Sequence, residues 1–216
     1  MATDMILIGM FDSPFVRRVA VSMNLLQVPF EHRNWSVGKD FELIRQFNPL
    51  GRVPALVLTD GDTLIESATI LDFLDETAGP ERALLPRSGE PRREALRIIA
   101  IAVGGAEKGV LQVYENAFRP PEKRYRPWVE RCHTQTHAAL AELDRLCQVR
   151  GGEWLIGNRI TQADITVTCA YTFLGDALDI NRDAVAYPAL NALAARCEAL
   201  PEFRSVKADW FAPGDP

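Results

Sequence analysis

Basic surplus, paired cysteines, histidine and long apolar runs are all scarce in this chain, and each scarcity removes a class of function. Lys and Arg number 24 against 29 Asp and Glu, a net charge of −5, so the electrostatic footprint of a nucleic-acid binder is missing. The local basic pairs, Arg17-Arg18 and Arg92-Arg93, read as solvated helix faces. Cys132, Cys147, Cys169 and Cys197 lie in segments of helical periodicity without a CxxC pair. That points to free buried thiols rather than disulfides or a metal site. Of three histidines, His133 and His137 stand at i, i+4, a spacing that suits a metal. No HExxH-type motif accompanies them, so a helix flank, and no metal, is expected. The apolar run Met5 to Met10 is too short to cross a bilayer, and no positively charged n-region precedes it. The expectation is a cytoplasmic protein with no membrane partner.

What is present is ordinary for a globular protein: 216 residues, 47% hydrophobic and 25% charged, enough core for one large domain or two small ones. Met5 to Met10 reads as a strand covered on both faces. From Pro14, Phe15, Val19, Met23 and Leu26 recur at helical spacing. Phe30 to Trp35 suits a second strand and Lys39 to Phe47 a short irregular helix. Ala55 to Leu58 and Thr63 to Ile65 flank the hairpin signal Asp60-Gly61. A helix from Ser67 stops at Gly79-Pro80. This β-α-β then β-β-α order is that of a thioredoxin-like domain, expected over residues 1–78. A Pro-, Gly-, Arg- and Glu-rich linker spans 79–90. An all-helical bundle follows over 91–216, with helices near 92–118, 122–149, 162–178 and 188–200 and a last turn near 201–206.

Three pieces of the first half carry chemistry. Ser13-Pro14 caps a helix straight after the first strand, which puts a hydroxyl at the positive end of a helix dipole. Asn48-Pro49-Leu50-Gly51-Arg52-Val53-Pro54 leads into the third strand, and Glu66-Ser67 opens the next helix. Taken alone, Ser13 is a plain N-cap, Arg52 a solvated loop cation, Lys39 a solvated helix-end lysine and Glu66 a dipole-favoured acid. In the second half, Gly157-Asn158-Arg159-Ile160-Thr161-Gln162-Ala163-Asp164-Ile165 has the form of a capping box, with Ile160 and Ile165 set for a hydrophobic staple.

Together these motifs resemble the cytosolic glutathione S-transferase family, of the bacterial, serine type, and the resemblance covers both halves of the chain. It implies that Ser13 is catalytic: its hydroxyl donates a hydrogen bond to the glutathione sulfur. A free thiol has a pKa near ~8.5, and lowering it by ~2 units takes ~2.7 kcal/mol of preferential thiolate stabilisation. A shielded hydroxyl donor and a helix dipole are of that order. The redox-active classes carry Cys where Ser13 stands, so disulfide exchange is not expected. The resemblance further implies that Pro54 is cis and that Val53 pairs with the cysteinyl unit like an added strand. Arg52 and Lys39 meet the glycyl carboxylate, Ser67 the γ-glutamyl carboxylate and Glu66 its ammonium, with Phe15 nearby.

In this family the electrophile lies between the domains, and Met10, Phe11, Lys108, Leu111, Tyr114 and Glu115 are the candidates here. Gly104-Gly105 and Gly109 suggest a close backbone approach by ligand or partner. Glutathione is a co-substrate, no further cofactor is expected, and the implied assembly is a homodimer. The implied activity is glutathione transfer to a small electrophile. The Ser-Ser-Cys signature of maleylacetoacetate isomerases is absent. The alternatives are glutathione-dependent peroxide reduction and a non-catalytic interaction protein on the same fold.

Overall fold

Four short strands build the sheet of the first half. In the computed structural model, which describes residues 5–180 and 186–212, β1 (Met5–Ile8), β2 (Phe30–Arg33), β3 (Ala55–Val57) and β4 (Thr63–Ile65) form one sheet in the order β2-β1-β3-β4. β1 runs parallel to β2 and antiparallel to β3, which is antiparallel to β4. A thioredoxin-like domain has this mixed sheet. Ile8 and Ala55 pack with Ile44 of the four-residue helix α2 (Phe41–Ile44), as period-2 alternation requires. α1 (Pro14–Leu25) packs on β1 and on α3 (Ser67–Ala78), with Val16, Val19, Ala20, Met23 and Ile70 fully buried.

The second half is helical: α4 (Gly89–Phe118), α5 (Arg126–Arg150), α6 (Gln162–Leu178), α7 (Pro188–Glu198) and the single turn α8 (Pro201–Arg204). α4 begins three residues before the expected start, inside the expected linker, because Ser88 and Gly89 let the chain enter the helix ahead of Pro91. Pro121–Lys123 forms a separate 3₁₀ turn, and α5 starts at Arg126 with Pro127 in its first turn. α6 is the central helix, buried from Gln162 through Tyr171. Asp144 of α5 caps α7 from another helix, accepting from the Ala189 and Leu190 amides at 2.9 Å each. No described helix is long and apolar enough to cross a membrane.

The chain divides into two compact units, one of residues 1–84 with Pro201–Ala208 and one of 85–200 with Asp209–Pro216. The outer ends of the two expected domains, residues 1–4 and 213–216, lie outside the described residues. The α8 segment joins the first unit although its sequence position suggested the second. The cause is a residue misread from sequence. Arg17 is not solvated but 4% exposed, and it donates to the Val206 and Phe203 carbonyls at 3.3 and 3.2 Å. Phe203, wholly buried, lies beneath its guanidinium. Arg18, 3% exposed, donates to Ser67 Oγ at 2.7 Å. Both arginines are buried because each finds acceptors inside the fold.

Of Gly104, Gly105 and Gly109, the last two are there for packing. A Cβ on Gly105 would stand 2.9 Å from Ala139 Cβ of α5, and one on Gly109 would clash with Leu174 Cδ2 of α6. Helix contacts, rather than a ligand or a second subunit, explain them. Gly104 has nothing within 4 Å of that position. Gly109→Ala is therefore expected to destabilise by about 1–3 kcal/mol through overpacking, and Gly104→Ala to stabilise by about 0.5–1 kcal/mol through helix propensity. Chemical denaturation of both variants checks the opposite signs.

Candidate functional site

The strand register brings the three chemical pieces to one end of the sheet. Ile8 pairs with Ala55, and Ala55 with Ile65, so these residues form one row across β1, β3 and β4. Adjacent strands lie about 4.8 Å apart. The chain beyond Ile8 runs through Gly9 to Ser13, the chain before Ala55 is Arg52-Val53-Pro54, and the chain beyond Ile65 is Glu66-Ser67. α1 and α3, twelve residues each, start at this edge with no acidic side chain in the first turn. Two helix N-termini thus present their positive ends to the same edge, with the acid Glu66 at the N-cap of α3.

Ser13 is the N-cap of α1, in extended backbone geometry, and its Oγ accepts from the Val16 amide at 3.5 Å. That is long for an N–H···O bond. The bond uses a lone pair on oxygen and leaves the hydroxyl proton to donate elsewhere. Gly9 shapes the approach: its φ is +130°, and a Cβ there would stand 2.5 Å from Val16 Cγ2 and 2.8 Å from Val53 Cβ. Only glycine lets the Ser13 loop and Val53 come this close.

The Val53-Pro54 peptide is cis. Asn48, 1% exposed, holds the loop before it, with Nδ2 donating to the Arg52 carbonyl at 2.8 Å and Oδ1 accepting from the Leu50 amide at 3.0 Å. Gly51, at φ +62°, passes against the Phe41 ring where no Cβ fits. Arg52 and Glu66 form an ion pair at 3.3 Å with both side chains about half exposed. Such a pair contributes at most ~1 kcal/mol and exchanges readily for charged groups of a ligand. Glu66 has φ +64° and ψ 124°, a sparsely populated conformation costing ~1–3 kcal/mol. Ser67 is 4% exposed. With its Oγ accepting from buried Arg18, its hydroxyl proton is left to donate, and a positive charge sits behind it.

The remaining candidates divide between the units. In the first, Phe15 is half-buried in the first turn of α1, Met10 is half-buried in the loop before it, and Lys39 is exposed. Phe11 stacks on His32 with centroids 3.7 Å apart, and His32 Nε2 donates to the Gly9 carbonyl at 2.7 Å. His32 had no sequence signal: it is an isolated histidine in a short strand. In the second unit, Leu111, Tyr114 and Glu115 line an open groove of about 500 Å³ with Phe118, Arg119, Tyr125 and Trp128. Lys108 sits above the Trp128 ring, 5.6 Å from its centroid. Trp128, in the first turn of α5, is 37% exposed there. Glu115 is itself buried, pairing with Arg119 at 2.9 Å and accepting from the Tyr125 amide at 2.9 Å. It braces the groove wall.

All four cysteines are free, and all but Cys147 are fully buried. Burial pushes the Cys147 and Cys197 thiols up to about 12, which leaves them inert as nucleophiles. Among the described residues no group of three or more His, Cys, Asp or Glu is placed to hold a metal.

Residues 7–82 match the family model "Glutathione S-transferase, N-terminal domain", and residues 107–201 match "Glutathione S-transferase, C-terminal domain". The chain is 28% identical over 194 residues to the probable maleylacetoacetate isomerase 2 of Drosophila melanogaster, covering 88% of this chain and 81% of that protein. It is 30% identical over 196 residues to glutathione S-transferase Z1 of Arabidopsis thaliana, covering 86% and 85%. A glutathione S-transferase crystal structure from Methylobacterium radiotolerans, in complex with glutathione sulfonate, superposes with a TM-score of 0.89 at 28% identity over 97% of both chains. Two domain matches in this order, and a relative 30% identical over most of both lengths, make the chain a member of the glutathione S-transferase family.

Proposed function

We propose that the protein is a glutathione-dependent enzyme that binds glutathione at the Ile8–Ala55–Ile65 edge and transfers its sulfur to a small electrophile. The observation that carries this reading is the convergence of Ser13, Val53-Pro54 and Glu66-Ser67 on one row of the sheet beside two helix N-termini. The peptide's extended backbone pairs with Val53. Its glycyl carboxylate replaces Glu66 as partner of Arg52, with Lys39 as a second cation. Its γ-glutamyl carboxylate takes the Ser67 hydroxyl and the first amides of α3, with the Arg18 charge behind them. Glu66, released from Arg52, pairs with the ammonium. The thiol then lies at Ser13, whose O–H stabilises the thiolate without losing its own proton. The relative from Methylobacterium radiotolerans holds a glutathione derivative on the same fold, which supports the ligand assignment.

The names of several relatives favour a second reaction on the same thiolate, isomerisation of a maleyl double bond. There the thiolate adds to the alkene carbon, the new single bond rotates, and the thiolate leaves. Glutathione is consumed in transfer and returned in isomerisation. Incubation with glutathione and an aryl halide, and separately with a maleyl substrate, while free thiol is titrated, tells them apart. The expected result is stoichiometric thiol loss with the aryl halide. Turnover of the maleyl substrate with thiol conserved and no aryl conjugate would make the protein an isomerase. Absence of glutathione binding at millimolar concentration by calorimetry would overturn both and leave a non-catalytic scaffold.

A further inference from the structure

The side chains of His133 and His137 approach each other on the surface of α5 in a way that the glutathione site does not use. Their Nε2 atoms are 3.1 Å apart, and their ring centroids 4.3 Å. We propose that the pair is a two-imidazole chelate for a divalent transition-metal ion, with Cu²⁺ held most tightly.

The geometry carries this. Imidazole nitrogen binds such ions at about 2.0–2.1 Å. An ion at that distance from two nitrogens 3.1 Å apart subtends an N–metal–N angle of roughly 95–102°. That lies between the tetragonal and tetrahedral values, so Cu²⁺, Ni²⁺ or Zn²⁺ enters with no large side-chain movement. Spacing alone does not ensure this, since many i, i+4 histidines point their rings apart. Here the two Nε2 atoms face each other at 3.1 Å.

The outer shell is in place too. His137 Nδ1 lies 2.7 Å from the Tyr187 hydroxyl, the residue that precedes α7. Once Nε2 is given to the ion, Nδ1 carries the ring proton and donates it to the Tyr187 oxygen, which fixes the ring's orientation. In the metal-free pair one Nε2 carries a proton that the other accepts. On binding, that ring moves its proton to Nδ1, and no net proton is released if both rings are neutral. No third His, Cys, Asp or Glu joins among the described residues, so water fills the remaining positions. The ion would clamp two successive turns of α5 and, through Tyr187, the entry to α7.

The test uses the full-length chain without a polyhistidine tag, with its thiols reduced. Calorimetric titration with Zn²⁺ and Ni²⁺, and electron paramagnetic resonance with Cu²⁺, read stoichiometry and ligand type. The expected result is one ion per chain, with coupling of Cu²⁺ to two imidazole nitrogens. Affinity should rise from Zn²⁺ and Ni²⁺ to Cu²⁺, and the melting temperature should increase on ion addition. His133 is exposed, so His133→Ala removes a ligand without removing packing. Outer-shell partners alone are worth ~10–100-fold, so this variant should lose at least ~10-fold in affinity, and His133→Ala/His137→Ala all site-specific binding. Failure of the wild type to bind, or wild-type affinity in His133→Ala, overturns the proposal.

Discussion

Replacing Ser13 by alanine is expected to leave the fold and most glutathione affinity intact while lowering turnover ~10–100-fold. In the proposed binding mode the peptide arms are held elsewhere, by Arg52, Val53, Glu66 and Ser67. What alanine removes is one charge-assisted donor to sulfur, worth ~1.5–3 kcal/mol. The fold is spared because the cap bond from the Val16 amide is long, at 3.5 Å, and Pro14 at N1 presets the first turn without it. Two readouts separate catalysis from capping. The pKa of bound glutathione, followed by the ultraviolet absorbance of its thiolate, should rise toward ~8.5, while the melting temperature stays near that of the parent. Ser13→Cys is the informative contrast, since a thiol there trades conjugation for mixed-disulfide exchange. A Ser13→Ala enzyme with unchanged turnover and unchanged bound-thiol pKa would reduce Ser13 to a helix cap and move the search for the donor to backbone amides near Phe15.

Local signals were legible wherever the cause of a structure lies within a few residues. Met5 to Met10 reads as a strand because both faces are covered. Asp60-Gly61 reads as a hairpin because Gly61 takes φ +93° and Asp60 Oδ1 accepts from the Asp62 amide. The order of those elements then places Ser13, Val53-Pro54 and Glu66-Ser67 at one sheet edge, so most of the candidate site could be named in advance. What stayed hidden depends on partners far along the chain. Arg17 bonds carbonyls 186 and 189 residues away, and periodicity alone makes it a surface residue. Asp144 looks like any acidic residue of α5 until the start of α7 arrives 45 residues later. Gly105 and Gly109 suggest a ligand until α5 and α6 are seen against them. His133 and His137 have a spacing in the sequence but no separation between their nitrogens.

Asp164 should produce the largest loss of stability from a single substitution, and Asp164→Asn is the variant that explains why. The carboxylate is wholly buried. Oδ1 accepts from the Leu155 amide at 2.8 Å, and Oδ2 from both the Thr161 amide and the Thr161 hydroxyl at 2.8 Å. Asp164 therefore closes the capping box of α6 and also fastens the loop from α5 onto the central helix. Alanine leaves three donors with no acceptor, at ~1–3 kcal/mol for each buried group left unpaired and partly relieved by relaxation. The expected cost is ~3–5 kcal/mol. For a chain of this size that is a fall of roughly 10 °C in melting temperature. Asparagine matches the shape but turns an NH₂ toward a donor on one side or the other, so it too should lose several kcal/mol. A charge-based account predicts the opposite, because burial raises the Asp164 pKa against the hydrogen bonds that lower it, and a neutral amide escapes that penalty. The sign in pH follows. A folded-state pKa above the unfolded value makes the wild type lose stability as pH climbs from the ordinary 3.8 through the raised value. The stability gap between wild type and Asp164→Asn should thus be wider near pH 4 than near pH 8. Asp164→Asn melting like the parent at both pH values would remove the two-acceptor argument, and loss of glutathione binding without loss of stability would move Asp164 from the fold to the site.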